Sequence, residues 1–297
     1  MYPSRFRYEA PRSLDEAIST LRDGGDYAKV LAGGQSLVPM MKLRFASPEL
    51  VVDINNVPGL DYHRAEPDGT RRIGALCRHA TLERSDLLKS TQPTMASAAP
   101  LIADPIVRNR GTLVGSLCHA DPQGDWASVV LALGGSVVAR GSGGTRTIPI
   151  ADFVTGPFQN VLDPDEIAVE AVIPAAQGIR SGGYLKLERR VGDFATVGVA
   201  VALETRGENV VRAGIALTGV GGSTIGVTEA AAALTGHPLT PESIEQAAEL
   251  AAQAARPRTD HRGSADYKRH MVRTFVLRLL SRGSAAETAA ETAERAA

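Results

Sequence analysis

Two adjacent glycines, Gly33 and Gly34, follow a short apolar run at residues 30–32 and interrupt what reads as the end of a buried strand. This break constrains the fold more than any other stretch. With no Cβ at two successive positions, the backbone can take φ > 0 and come close to a ligand. Gln35, Ser36 and Leu37 follow. Successive exposed N–H groups in such a turn form a concavity suited to an anion such as a phosphate, and Ser36 adds a hydroxyl donor. A tight turn between two packed segments would use the same glycines.

A second loop, at residues 107–125, shifts the balance. It reads Val-Arg-Asn-Arg-Gly-Thr-Leu-Val-Gly-Ser-Leu-Cys-His-Ala-Asp-Pro-Gln-Gly-Asp. Gly111 and Gly115 bracket Thr112, and the Thr112 and Ser116 hydroxyls suit phosphate or ribityl oxygens. Asp125 suits a sugar hydroxyl, as acidic residues do in dinucleotide sites. It equally suits the cap of the helix that starts at Trp126. His119, Asp121 and Asp125 are not read as a metal cluster, because turn and cap roles account for the carboxylates and no second ligand group accompanies them. The chain lacks a P-loop, a Gly-x-Gly-x-x-Gly fingerprint and a Gly-x-Ser-x-Gly elbow. A dinucleotide would therefore be held by two separate glycine loops.

The 297 residues suffice for about two domains. A formal net charge of -1 gives no global basic field for nucleic acid, and 4% aromatics argue against a base-stacking surface. The two cysteines, Cys77 and Cys118, are too few for a disulfide framework or for the four thiolates of an iron–sulfur cluster. No run approaches the ~20 apolar residues of a membrane span, and the expected location is the cytoplasm, including the inner face of the membrane as a peripheral protein.

Periodicity predicts a helix over residues 14–21 capped by Ser13 with Glu16, strands at 50–54 and 71–75, and a short helix from Thr81. A helix broken near Pro100, a hairpin at 136–150 and a strand at 167–173 follow. A domain boundary is expected at 175–182. Beyond it come strands at 184–187, 197–204 and 210–217 and helices at 228–234, 241–255 and 265–280, the second opened by Thr240 and Pro241. Residues from Ser284 on read as a low-complexity tail.

Residues 32–39 with Met41-Lys42-Leu43-Arg44, and residues 108–116 with His119-Ala120-Asp121-Pro122 and Asp125, resemble the two flavin motifs of the molybdenum hydroxylase flavoproteins. These are the FAD-binding medium subunits of the carbon monoxide dehydrogenase and xanthine dehydrogenase family. Residues 184–187, Arg190 and 192–197 resemble the family's flavin-ring segment, and residues 262–269 its C-terminal domain. The resemblance implies an α+β fold: a non-Rossmann, two-part FAD-binding domain of the vanillyl-alcohol-oxidase/PCMH type at 1–177, with subparts 1–57 and 58–177. A small domain of antiparallel strands and helices at 178–283 and the tail at 284–297 complete it.

The same resemblance implies that Ala32, Gly33, Gly34, Gln35, Ser36 and Leu37 wrap the FAD pyrophosphate. Thr112, Val114, Gly115 and Ser116 form a second wall. Asp121 and Asp125 belong to the site, with Asp125 accepting from a cofactor hydroxyl. Leu162 packs near the adenine or ring, Lys186 lies near the isoalloxazine, and Asp193 and Phe194 flank it. Core packing for Phe194 and a solvated position for Lys186 are the plainer alternatives. No catalytic residue or metal ligand is expected in this chain. The family carries two glycines where this chain has Val114-Gly115. A Val side chain disfavours φ > 0, so the backbone there is expected to be β-like with Val114 turned away from the flavin, or the local approach to the cofactor differs.

The implied function is electron transfer. Electrons from the molybdenum–pterin cofactor of a large subunit would pass through [2Fe-2S] clusters of a small subunit to FAD here, and on to an external acceptor. The implied assembly is a dimer of heterotrimers, without nucleic acid or a transmembrane segment. A stand-alone flavin-dependent oxidoreductase and a flavin-free binding module are the alternatives.

Overall fold

The computed structural model describes residues 2–295. Strand β1 (Arg7–Glu9) is followed by helix α1 (Leu14–Gly24). The Ser13 hydroxyl accepts from the Glu16 N–H, while the Glu16 carboxylate reaches back to the Arg12 N–H, one residue short of a reciprocal capping box. Ala17, Ile18 and Leu21 form its buried face, and Gly25 ends it at φ 53°. Strand β2 (Ala28–Leu31), helix α2 (Leu37–Lys42) and strand β3 (Leu50–Asp53) follow. The three strands form a parallel sheet with β3 central. That place accounts for Leu50, Val51 and Val52 being buried in succession, as in strands covered on both faces.

A five-stranded antiparallel sheet comes next, ordered β4-β5-β10-β6-β7. Its members are β4 (His63–Ala65), β5 (Arg71–Gly74), β6 (Ser136–Gly141), β7 (Gly144–Pro149) and β10 (Ile167–Ile173). Six helices lie between β5 and β6. They are α3 (His79–Arg84), α4 (Asp86–Thr91), α5 (Pro93–Ala98), α6 (Pro105–Arg108), α7 (Leu113–His119) and α8 (Asp125–Ala132). Pro93 opens α5, and Pro100 sits in the 3-10 turn after it, where the sequence places its break. After β7 come α9 (Ile150–Phe153) and the small hairpin β8 (Val154–Gly156) and β9 (Gln159–Asn160).

The remaining elements are β11 (Ile179–Leu187), β12 (Val197–Arg206), β13 (Asn209–Thr218) and β14 (Ile225–Gly226), an antiparallel sheet in chain order. Helices α10 (Thr228–Leu234), α11 (Pro241–Ala254) and α12 (Ala265–Arg295) follow. The anticipated boundary at 175–182 is half strand, because β11 already pairs with β12 from Ile179. Thr240 and Ser243 close a full capping box on α11. The α12 backbone continues to Arg295, through most of the stretch read as a tail, while residues 296 and 297 lie outside the described residues.

The chain divides into two compact units that interleave in sequence. One holds Met1–Leu82, Asp104–Ala120 and Gly135–Ile173; the other holds Glu83–Ala103, Asp121–Gly134 and the chain from Pro174 on. The linear division at 177/178 thus differs from the compact units, since two earlier segments join the later strands. In the second unit α5 packs on β11 and α8 on β12 and β13. Val199, Val201, Leu203, Ile215 and Leu217 of the sheet form its core with Ala247, Ala251, Val272 and Val276 of the helices.

Candidate cofactor site

The first glycine loop joins β2 to α2. Gly34 has φ +74°, a conformation open to glycine at little cost. Gly33 is required for a different reason: a Cβ there would lie 2.3 Å from the Arg110 carbonyl oxygen and 2.7 Å from the Gly111 Cα. The two loops recognised in the sequence therefore touch, backbone to backbone, within the first unit. Among the described residues none accepts from the backbone N–H groups of Gly33, Gly34, Gln35 and Ser36. Ser36 is the N-cap residue of α2, yet its hydroxyl makes no cap bond. The Gln35 side chain is used locally, donating to the Gly33 carbonyl at 3.2 Å. Leu37 begins α2.

The second loop is built by Thr112, the N-cap of α7, whose Oγ1 accepts from the Gly115 N–H at 3.0 Å. A Cβ at Gly115 would press on that same oxygen at 2.7 Å, so glycine suits the cap. Val114 corrects the expectation of β-like backbone. It lies in the first turn of a helix, and its side chain is 2% exposed in the core. No φ > 0 is needed at this position, so the departure from a Gly-Gly pair leaves the loop intact. Ser116 belongs to the same helix.

The loops are also joined by side chains. Asn55 donates from Nδ2 to the Ala32 carbonyl at 2.8 Å. Arg78 donates to Asn55 Oδ1 at 2.5 Å and to the Arg110 carbonyl at 2.7 Å. The His79 N–H donates to the Gly111 carbonyl at 2.9 Å, and the buried His79 ring lies where a Gly111 Cβ would stand. Burial, with Arg108 and Arg78 adding repulsion, lowers the His79 pKa to about 4, so the ring is neutral at pH 7. Leu162 is tied to the other end of α7: its N–H donates to Asn160 Oδ1, and Asn160 Nδ2 donates to the Cys118 carbonyl. Seven helical residues separate these ends by about 10 Å.

The second unit carries the other residues singled out in the sequence. Asp121 shapes the turn before α8, accepting from the Gln123 N–H. Gly124, not Asp125, is the N-cap of α8. The Asp125 carboxylate instead accepts from the Tyr184 hydroxyl at 2.5 Å and the Lys186 ammonium at 3.2 Å. Lys186 also donates to the Leu101 carbonyl and lies 3.3 Å from Glu188; its side chain is 1% exposed, so it is no solvated lysine. Burial pushes the Asp125 carboxyl up, while Lys186 and Tyr184 hold it back. Two oxygens offer about four acceptor sites, so these two donors do not exhaust the carboxylate. Asp193 and Phe194 lie in the loop from β11 to β12. Arg262 donates to the Asp193 carboxylate and the Phe194 carbonyl. Phe194 is half exposed and not a core residue.

Tyr184, Asn55 and Arg78 were not read as partners of these groups. No local pattern marks them, since each lies at least twenty positions from the group it serves and only the fold joins them. Among the described residues no helix is long and apolar enough to cross a membrane.

Four successive unpartnered N–H groups beside a forced glycine contact fit a cofactor bearing phosphates. Comparison with known proteins agrees. Residues 4–176 match the family described as the FAD binding domain in molybdopterin dehydrogenase, and residues 183–282 match the CO dehydrogenase flavoprotein C-terminal domain. The carbon monoxide dehydrogenase medium chain of Hydrogenophaga pseudoflava is 42% identical over 282 residues, 95% of this chain and 98% of that one. The nicotine 6-hydroxylase medium subunit of Paenarthrobacter nicotinovorans is 39% identical over 275 residues, 92% of this chain and 95% of that one. A solved carbon monoxide dehydrogenase from Hydrogenophaga pseudoflava superposes with a TM-score of 0.91, covering 97% of this chain and 99% of that chain. Quinoline 2-oxidoreductase from Pseudomonas putida 86 gives 0.87 at 31% identity, covering 97% of this chain and 99% of that chain. The chain therefore belongs to the FAD-binding medium-subunit family of the molybdopterin dehydrogenases, and is an oxidoreductase subunit with that family's α+β fold.

Proposed function

We propose that this chain holds FAD as the electron-transfer subunit of a molybdenum hydroxylase of the carbon monoxide dehydrogenase type. The observation that carries the reading is the row of unpartnered N–H groups at Gly33, Gly34, Gln35 and Ser36, set where the first glycine loop meets the second. When bound, FAD supplies the redox chemistry, and the protein supplies binding, orientation and electrostatics.

Residues 32–37 would take the pyrophosphate, with the Ser36 hydroxyl as a further donor. Thr112, Val114, Gly115 and Ser116 would form the second wall. Here the Thr112 side chain fixes the helix start, and Val114 acts by anchoring α7 in the core. Leu162 would give apolar contact. In the second unit the resemblance assigns Asp121, Asp125, Lys186, Asp193 and Phe194 to the cofactor. Asp125 would act as an acceptor whose orientation is set by Tyr184 and Lys186.

The partners would be a large subunit with a molybdenum–pterin cofactor and a small subunit with [2Fe-2S] clusters. They would assemble as a dimer of heterotrimers in the cytoplasm. Relatives of this chain serve carbon monoxide dehydrogenase and nicotine 6-hydroxylase. The first shows the higher identity, and we assign carbon monoxide as the reductant of the complex. The test is anaerobic mixing of the reconstituted three-subunit complex with carbon monoxide, followed at the flavin absorption band. Bleaching that requires both partners is expected. A chain that turns over an organic substrate by itself would instead identify a stand-alone oxidoreductase.

A further inference from the structure

We infer that Arg78 and Asn55 form a two-residue clamp that sets the distance between the two glycine loops, and so act as positioning residues for the cofactor. The inference rests on the FAD reading above. Neither residue belongs to either glycine loop. Asn55 follows β3, and Arg78 lies between β5 and α3.

The clamp is a continuous chain of hydrogen bonds. Asp53 Oδ1 accepts from the Asn55 N–H at 2.9 Å and from Nδ2 at 2.5 Å, which fixes the amide at the end of the central strand. The same Nδ2 donates to the Ala32 carbonyl, the residue before Gly33. Asn55 Oδ1 accepts from one arm of the Arg78 guanidinium, and the other arm donates to the Arg110 carbonyl. That carbonyl is the atom a Gly33 Cβ would strike. One planar cation thus holds an oxygen of the second loop and, through one amide, an oxygen of the first. The backbone of Arg78 is fixed as well, since Arg78 and Thr112 form an isolated antiparallel bridge.

The chemistry of the clamp suits this task. A guanidinium is a rigid fork that spans two acceptors, whereas an ammonium on a flexible stem is a point charge. Both acceptors of Arg78 are neutral oxygens, and its charge is felt by Asp61 and Asp53, which favour it, and by Arg110, which opposes it. Both acceptors are backbone or amide groups that a hydrophobic substitution would strand.

The test uses the full chain, freed of flavin and titrated with FAD by fluorescence quenching. The variants are Arg78→Met, Asn55→Ala, the double variant and Arg78→Lys. Circular dichroism establishes that each is folded at the titration temperature. The clamp predicts that wild type binds FAD and that each single variant binds about ten- to a hundredfold more weakly, the range expected for losing charge-assisted hydrogen bonds. The double variant should bind no more weakly than the worse single variant, because either change opens the same link. In a further variant, Arg78→Ala, which leaves room for the ion, added guanidinium should restore part of the affinity, and it should restore none of that of Asn55→Ala.

Arg78→Lys should behave like Arg78→Met. It also carries the test if Arg78→Met does not fold. Folded Arg78 variants that bind FAD within threefold of wild type, or effects that simply add, would overturn the clamp and leave the FAD reading standing. A wild-type chain that binds no FAD would overturn the FAD reading itself, and the clamp with it.

Discussion

The glycine loops of the first unit and the charge cluster of the second solve opposite problems. In the loops, four backbone donors at residues 33–36 are left without acceptors, and the glycines remove the side chains that would fill the space. In the cluster, Asp125 is buried and accepts from both Tyr184 and Lys186, whose side chains are buried as well. Unmet donors at a surface loop cost little while water serves them, and they become valuable when an anion replaces the water. Buried charges cannot be left unmet, because the interior offers no such substitute. The first arrangement is built to receive a ligand. The second is built to hold its own groups in one orientation.

Gly33→Val should break the loops most severely. Its side chain must displace the Arg110 carbonyl, and FAD affinity should fall more than a hundredfold in an equilibrium titration. The matching break in the cluster is Lys186→Met. Removing one member of a buried pair costs about 3–5 kcal/mol. The penalty, read by urea unfolding, should be smaller at pH 5 than at pH 8. Without the ammonium, Asp125 holds its proton in the folded state to a higher pH than in the unfolded state. Its contribution is therefore favourable at low pH and is lost as pH rises.

His79 sharpens the comparison with a titration inside the loop region. Its folded pKa is about 4, below an unfolded value near 6.5. The unfolded chain binds the proton first, so stability is full above pH 6.5 and falls as pH drops toward 4. The whole loss is about 3 kcal/mol. In His79→Asn the fall of melting temperature across this interval should flatten.

Val114→Gly, which restores the family's glycine pair, should destabilise the chain by about 2 kcal/mol through lost burial and helix propensity. FAD affinity should stay within threefold. Thr112→Ala has the smallest expected effect on stability, about 1 kcal/mol for the lost cap, again measured by urea unfolding.

The two glycine loops, the strands around them and the caps at Ser13 and Thr240 were legible in the sequence because each is a local pattern. Gly-Gly after an apolar run and Ser three residues before Glu carry their meaning within a few positions. The helical start at Leu113 was missed because the reading at Val114 weighed φ > 0 at a glycine pair and not the cap that Thr112 supplies. The partition of the chain was less legible for a different reason. Helices α5 and α8 look alike as short helical segments whichever sheet they cover, and only their packing on β11, β12 and β13 assigns them to the second unit. Tyr184 reads as one aromatic among strand residues until the fold brings it to Asp125.

The central claim is that the first unit's glycine loops hold FAD. It is tested most directly by purifying the full chain alone, recording its visible spectrum and identifying any flavin released by acid. Flavin bands with FAD in the supernatant, or their appearance on adding FAD to a colourless preparation, are the predicted result. A folded chain that stays colourless and does not quench added FAD would contradict the account and identify a flavin-free binding module.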